Sequence, residues 1–127
     1  MTLALVVAVA VASGVGAQAR YSLDLLVQRR LGGSALPWGT MTVNVVGSAA
    51  LGALVALAQA GRLGETAEIV LAVGLCGAFT TFSTWTYETV RLLEEGALWE
   101  ATLNIGLGLA FGLAAALLAY GAVHLAV

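Results

Sequence analysis

The sequence predicts an all-α membrane protein: one domain of four transmembrane helices, the third broken in mid-membrane. Three observations carry that prediction. There is too little charge to coat a water-facing surface, four long stretches carry no charge, and one of those stretches holds a cluster of glycine, hydroxyl and aromatic residues. Of 127 residues, 61% are hydrophobic and 9% charged, and the mean hydropathy is +0.99. A soluble domain carries about a quarter of its residues as Asp, Glu, Lys and Arg. Here there are five arginines, seven acids, no lysine and one histidine. The net charge of −2 excludes the basic patch that nucleic-acid binding needs. The hydrophobicity excludes disorder, and the single Cys76 excludes a disulfide framework.

The charge-free stretches are 1–19, 31–61, 69–87 and 101–127, leaving His124 aside. A span needs about 20 mostly apolar residues to cross a hydrocarbon core of roughly 30 Å. The second stretch is longer, but it opens on Gly32, Gly33, Ser34 and Pro37, which suit a loop ahead of a helix beginning at Trp38. The expected spans are therefore 2–19, 38–60, 67–93 and 100–124, a single domain over 1–127. Helices are expected because each span must satisfy its backbone hydrogen bonds internally. Ala17-Gln18-Ala19 resembles a signal-peptide cleavage site. Met1-Thr2 carries no side-chain positive charge, however, and the apolar run exceeds a usual h-region, so 1–19 is read as a retained span.

Four spans place both termini on one side with Arg62, and Arg20, Arg29, Arg30 and Arg91 on the other. The positive-inside rule favours loops one and three in the cytoplasm. The bias is too small to fix one orientation, and insertion both ways round stays open. Gly14, Gly16, Gly47, Gly52, Gly106, Gly108 and Gly112 fall within spans. Small-xxx-small pairs such as Ser48/Gly52 and Gly108/Gly112 let helix backbones approach closely in lipid. Four short helices alone hardly enclose a polar path, so an oligomer is expected, with a homodimer the smallest solution.

Polar residues inside a bilayer are costly and mark function by default. In the second span Thr40, Asn44 and Ser48 share a face at i, i+4 spacing, with Thr42 nearby. Thr40, Thr42 and Ser48 read as interhelical hydrogen-bonding residues worth about 0.6 kcal/mol each. Asn44 offers two donors and two acceptor lone pairs and is the candidate for a polar path. The stronger cluster is 74–88, in which five serine or threonine residues alternate with the aromatic stripe Phe79, Phe82 and Trp85 after Gly74 and Gly77. A break near Gly77–Thr81 would free backbone groups, which is tolerated at membrane depth only inside protein or along a cavity. Freed carbonyls are hard ligands for a small cation. The aromatic stripe has two readings: core packing, or ring edges that receive an anion without a full positive charge, helped by the interleaved hydroxyls.

Three segments together resemble the bacterial fluoride channel family, Fluc or CrcB. Gly16-Ala17 followed by Arg20-Tyr21 resembles the end of that family's first helix. Pro37-Trp38-Gly39-Thr40-Met41-Thr42-Val43-Asn44-Val45-Val46-Gly47-Ser48 resembles its P-x-G-T-L-x-V-N-x-x-G-S signature. Gly74-Leu75-Cys76-Gly77 through Thr80-Thr81-Phe82-Ser83-Thr84, with Glu88 following, resembles its G-x-x-G-x-x-T-T-F-S-T-x-x-x-E block. The resemblance implies an antiparallel, dual-topology homodimer in the cell membrane, with a pair of homologous subunits as the alternative assembly. It implies two pores that pass fluoride out of the cytoplasm passively and so protect against its toxicity. Carried over by position, Asn44 is the pore asparagine and Phe82 the first pore phenylalanine. Trp85 stands where the second is usually Phe. The carbonyls of Gly77 and Thr80 from both subunits hold a structural sodium ion (Na+), and Thr81, Ser83 and Thr84 belong to the same broken segment. Arg20 lies near a vestibule, and Glu88 is a polar partner near the end of the third helix. On the fourth helix, relatives carry a Tyr and Ser track where this chain has Glu100, Asn104 and Gly108. Asn104 substitutes as donor, and Glu100 is expected at the helix end.

Fluoride is small and strongly hydrated, so its path must replace water's donors with amides, hydroxyls and ring edges. No ATP motif, metal-ligand cluster or nucleophile–base pair suggests pumping or catalysis, so the chain is not read as an enzyme. Cys76 reads as a small packing residue, and His124 has no evident partner. The alternative is a small four-helix proton-coupled multidrug exporter, which couples through a carboxylate in its first span; residues 1–19 contain none. A non-conducting structural subunit would leave the 74–88 cluster without purpose.

Overall fold

A computed structural model describes residues 2–127. Among them the chain is helical throughout, with no strand. Helix α1 is Leu3–Leu31 and α2 is Trp38–Gln59. Helix α3 covers 65–79, running through Glu65–Glu68, Ile69–Cys76 and Gly77–Phe79. After a two-residue interruption come α4, Phe82–Glu94, and α5, Leu98–Ala126. Taken as one span, α3 and α4 cover Glu65–Glu94, and the four resulting helices are each long and apolar enough to cross a membrane.

The turns follow from their residues. Helix α1 starts on a Thr2 side chain that accepts the Leu5 N–H at 3.3 Å. It stops at the Gly32-Gly33 pair, where the Ser34 hydroxyl oxygen accepts from the Leu36 N–H and from the Trp38 indole at 3.0 Å. Pro37, which cannot donate an N–H, then precedes α2. Helices α2 and α4 end in the same way. Gly61 at φ 67° and Gly96 at φ 77° take the left-handed conformation, and the next residues bond back, Arg62 to the Leu57 carbonyl and Ala97 to that of Leu92, both at 2.9 Å. This Schellman closure favours glycine because a Cβ is strained at that φ.

Two differences from the sequence expectation have physical causes. Helix α1 runs on past residue 19 because nothing before Gly32 breaks it. Its added turns are supported at i, i+4 by Gln28 Nε2 donating to Asp24 Oδ1 at 2.9 Å. Within α3, Ile69–Cys76 is wound in the wider π register, and the Gly77 N–H that follows it reaches the Ala72 carbonyl five residues back. A uniformly apolar stretch carries no periodicity that could reveal this.

Two seams of small residues organise the bundle. Helix α2 packs most extensively on α5, where a Cβ on Gly52 would strike the Ala116 backbone and one on Gly112 would touch the Ser48 hydroxyl. Helix α1 packs on α3, where a Cβ on Gly16 would meet the Leu75 carbonyl and the Phe79 amide, and the Ser13 hydroxyl donates to the Gly74 carbonyl at 3.2 Å. The interior is thin, with Met41, Val43, Ala56, Cys76, Leu92 and Ala101 as its buried apolar members. Val7, Val11, Leu117 and Leu118 face outward, as apolar spans require.

The α1–α3 seam gives a paired prediction. Gly16→Ala should destabilise the purified protein by about 1–3 kcal/mol through overpacking. Gly14→Ala, whose Cβ meets nothing within 4 Å, should be neutral or stabilising by up to about 1 kcal/mol from helix propensity. Thermal unfolding in detergent reads both; equal melting temperatures for the two variants would show that the seam is not tight.

Candidate functional site

The interruption of the third span is where the polar chemistry gathers. Thr80 (φ −77°, ψ 158°) and Thr81 (φ −145°, ψ 117°) are both extended. Each threonine closes one helix. The Thr80 amide and hydroxyl both donate to the Cys76 carbonyl, at 2.9 and 3.0 Å, finishing α3. The Thr81 hydroxyl oxygen accepts the Thr84 N–H at 3.2 Å, capping α4, and lies 2.8 Å from the Thr84 hydroxyl and 3.4 Å from that of Ser83.

Asn44 holds the interruption from α2. Its Oδ1 accepts the Thr81 N–H at 2.8 Å, and its Nδ2 donates to the Thr81 carbonyl at 2.9 Å. One side-chain amide thus satisfies both backbone groups of one residue. In an unbroken α-helix the Thr81 N–H would bond the Gly77 carbonyl and the Thr84 N–H would bond the Thr80 carbonyl. Both donors are diverted, the first to Asn44 and the second to the Thr81 hydroxyl. The break between Phe79 and Phe82 leaves the carbonyls of 77–80 without their helical donors, Gly77 and Thr80 among them. No three His, Cys, Asp or Glu side chains gather as a metal-ligand set among the described residues.

Alongside the interruption runs an open groove of about 520 Å³, lined by Asn44 and Ser48 of α2, by Gly77, Thr80 and Thr81, by Phe82 and Trp85 of α4, and by Gly108 and Gly112 of α5. Phe82 is 75% exposed. Its ring centre lies 5.4 Å from that of Trp85, with the planes 51° apart. The aromatic stripe divides, because Phe79 turns away to pack against Gly47 while Phe82 and Trp85 stay on the groove. Ser83 and Thr84 contribute to the Thr81 cap and are exposed.

Asn104 is not among the groove-lining residues. Its side chain is fully buried, with Nδ2 donating to the Thr89 hydroxyl at 2.9 Å and Oδ1 shielded without a partner. Its main-chain carbonyl accepts from the Trp85 indole N–H at 3.1 Å. Thr89 was invisible as a site residue in the sequence; the one available signal is its place four residues after Trp85, whose carbonyl its hydroxyl bonds at 2.8 Å. Glu100 sits in the first turn of α5, at the helix end as expected.

Glu88 accepts a 2.8 Å hydrogen bond from the Thr40 hydroxyl, and its other carboxylate oxygen is shielded without a partner. Thr40, read from sequence as an interhelical hydrogen-bonding residue, makes that bond from α2 to α4. Glu88 borders a second, more polar cavity of about 540 Å³ lined by Gln28, Ser34, Trp38, Gly39, Arg91 and Glu95, among others. Arg91 pairs with Glu95 at 2.8 Å on the exposed surface, where such pairs contribute little. Arg20 lies on α1, four residues beyond Gly16, half-buried and with no ion pair among the described residues.

Comparison with known proteins places this arrangement. Residues 7–120 match the family model described as CrcB-like protein, Camphor Resistance (CrcB). The "Fluoride-specific ion channel FluC 1" of Streptomyces avermitilis is 47% identical over 102 residues, covering 80% of this chain and 82% of the relative. The "Fluoride-specific ion channel FluC" of Idiomarina loihiensis is 44% identical over 107 residues, covering 84% and 82%. The "Fluoride-specific ion channel FluC 2" of Mycobacterium bovis is 42% identical over 118 residues, covering 93% and 90%.

The Asn44 clamp predicts a ranking of stabilities. Thr81→Ala should cost about 1 kcal/mol through the lost cap, and Thr81→Ser should restore most of it. Asn44→Leu should cost more, about 2–3 kcal/mol, because it strands two backbone groups at once. Thermal unfolding in detergent reads the series; an Asn44→Leu protein melting with wild type would show that the clamp does not hold the interruption.

Proposed function

The chain belongs to the CrcB-like family, and we propose that it is a fluoride-selective channel letting fluoride leave the cytoplasm down its gradient. The observation that carries this reading is the groove itself, in which Asn44, Ser48, Thr80, Thr81, Phe82 and Trp85 stand among small and apolar residues, with no lysine or arginine in the lining. A small, strongly hydrated anion needs donors in place of water, held weakly enough for it to leave again. The second Asn44 N–H, the hydroxyls near Thr81, and the positive edges of Phe82 and Trp85 offer that combination. Ser83 and Thr84 supply hydroxyls at the same level, and Asn104 acts from behind Trp85. Hydrogen fluoride enters cells as the neutral acid and dissociates in the less acidic cytoplasm. A passive anion path then relieves the accumulated ion without an energy source, and the protein is a multi-pass membrane channel, not an enzyme.

The working unit in this reading is an antiparallel, dual-topology homodimer. The open side of the groove and the 75% exposure of Phe82 in a single subunit support a second copy facing it. A sodium ion at the dimer centre would be held by the Gly77 and Thr80 carbonyls of both copies. Their diversion from helical bonding supports this, and the ion would supply a fixed charge to balance four convergent oxygens. Arg20, one turn past the α1–α3 seam, belongs to a vestibule, and Glu88 with Thr40 forms the polar end of the third span.

Purified protein in liposomes should release fluoride, read on an ion-selective electrode, while retaining chloride; efflux no faster than from empty liposomes would reject the reading. Phe82→Ile, which removes a ring edge, should slow efflux by about tenfold or more. Reporter fusions at Val127 should be active on both membrane faces. Activity on one face alone would replace dual topology with a fixed orientation and a paired homologous subunit.

A further inference from the structure

Among the groove-lining residues, Trp85 alone carries an N–H on an aromatic ring, and the structure shows where that donor is spent. The indole Nε1 lies 3.1 Å from the main-chain carbonyl of Asn104 on α5. The link closes into a loop. The Asn104 amide donates to the Thr89 hydroxyl at 2.9 Å, and that hydroxyl donates to the Trp85 carbonyl at 2.8 Å. Trp85 is therefore tied to α5 at both its ring and its backbone.

Gly108 makes the approach available. Helical side chains lean toward the N-terminus, so a Cβ at 108 hangs over the turn that carries the Asn104 carbonyl. Built on this backbone, that Cβ would stand 2.9 Å from Trp85 Nε1, closer than such atoms pack, with Cε2 in ordinary contact at 3.5 Å. The atoms nearest it, Nε1, Cε2 and Cδ1, all belong to the five-membered ring, so that edge faces α5.

We propose that Gly108 and the Asn104 carbonyl form a dock for the Trp85 indole N–H, so that Trp85 meets the permeating anion through carbon-bound hydrogens. This deepens the fluoride-channel reading and rests on it. The dock withholds a strong donor that would hold the ion at one place, and it fixes how far the larger indole intrudes into the groove. Trp85 then acts as a phenylalanine-like edge, and Gly108 and Asn104 are positioning residues for conduction.

The test uses ¹⁵N-labelled full-length protein in nanodiscs, with the Trp85 indole resonance identified by its loss in Trp85→Phe. On titration with sodium fluoride the Trp85 N–H should shift no more than that of the exposed Trp99. A downfield shift specific to fluoride over chloride would overturn the proposal. Gly108→Ala should move the Trp85 indole resonance and slow fluoride efflux from liposomes by about tenfold or more, the scale of a displaced contact group. The double variant Trp85→Phe/Gly108→Ala, with a smaller ring above the new methyl, should recover most of that loss. An unmoved resonance in Gly108→Ala, or a double variant no faster than the single one, would overturn the dock. Should Gly108→Ala fail to assemble, assembly of the double variant supports the steric argument and its failure overturns it. If the wild-type protein passes no fluoride, the channel reading falls, and the dock is still decided by the Gly108→Ala resonance.

Discussion

The bond pair between Asn44 and the Thr81 backbone is the constraint on which the rest of the site depends. A helix interrupted at membrane depth leaves an N–H and a carbonyl that cannot turn to water, and each is costly unpaired. A carboxamide is the side chain that matches a peptide group, with donor and acceptor in one plane. A serine or threonine hydroxyl at 44 could not span both atoms of Thr81. With the clamp in place, Thr81 stays extended and its hydroxyl is free to start α4. The break then leaves the carbonyls of 77–80, Gly77 and Thr80 among them, unclaimed by the helix. Clamp, cap and freed carbonyls are consequences of one geometry.

That geometry needs α2 to lie close to the interruption, which the glycines permit. Gly47, one turn beyond Asn44 less one residue, has Thr80 and Phe79 where its own Cβ would be. Gly52 and Gly112 hold α2 against α5, and Gly16 holds α1 against α3. In lipid, close packing replaces hydrophobic expulsion as the source of association. The small residues therefore set the distance over which Asn44 can reach Thr81. Gly108 differs from the others, because the space it leaves receives an indole ring and not a helix.

Much of this was legible in the sequence, and what was missed shares a cause. Composition showed four spans, Gly32-Gly33 and Pro37 marked the first turn, and the Thr-rich segment after Gly77 marked the interruption. Asn44 and Phe82 stood out because a mid-span amide and a ring among hydroxyls are rare. The π register of Ile69–Cys76 was hidden, since uniformly apolar residues have no phase to read. The direction of Asn104 was hidden as well. Spacing put it on a line with Glu100 and Gly108, but only packing shows that its amide turns to Thr89 and leaves its carbonyl to Trp85. Hydrogen-bond partners between helices depend on rotation about the helix axis, which a broad apolar face does not specify.

The interruption also brings partial charges of opposite sign close together without a charged side chain. Helix α3 ends at Phe79 and α4 begins at Phe82, so a helix C-terminus and a helix N-terminus face each other across two residues. The first presents carbonyls and partial negative charge, the second presents amides and partial positive charge. The Gly77 and Thr80 carbonyls belong to the closing side, and the aromatic pair, Phe82 and Trp85, opens the other. A lysine or arginine in the groove would bind an anion too firmly to release it, and a carboxylate would repel it. Backbone dipoles give a weaker field that the fold fixes in place. The scarcity of charge in this chain therefore fits its chemistry as much as its solvent: the helix ends at Thr80–Thr81 supply partial charges beside a groove with no charged side chain in its lining.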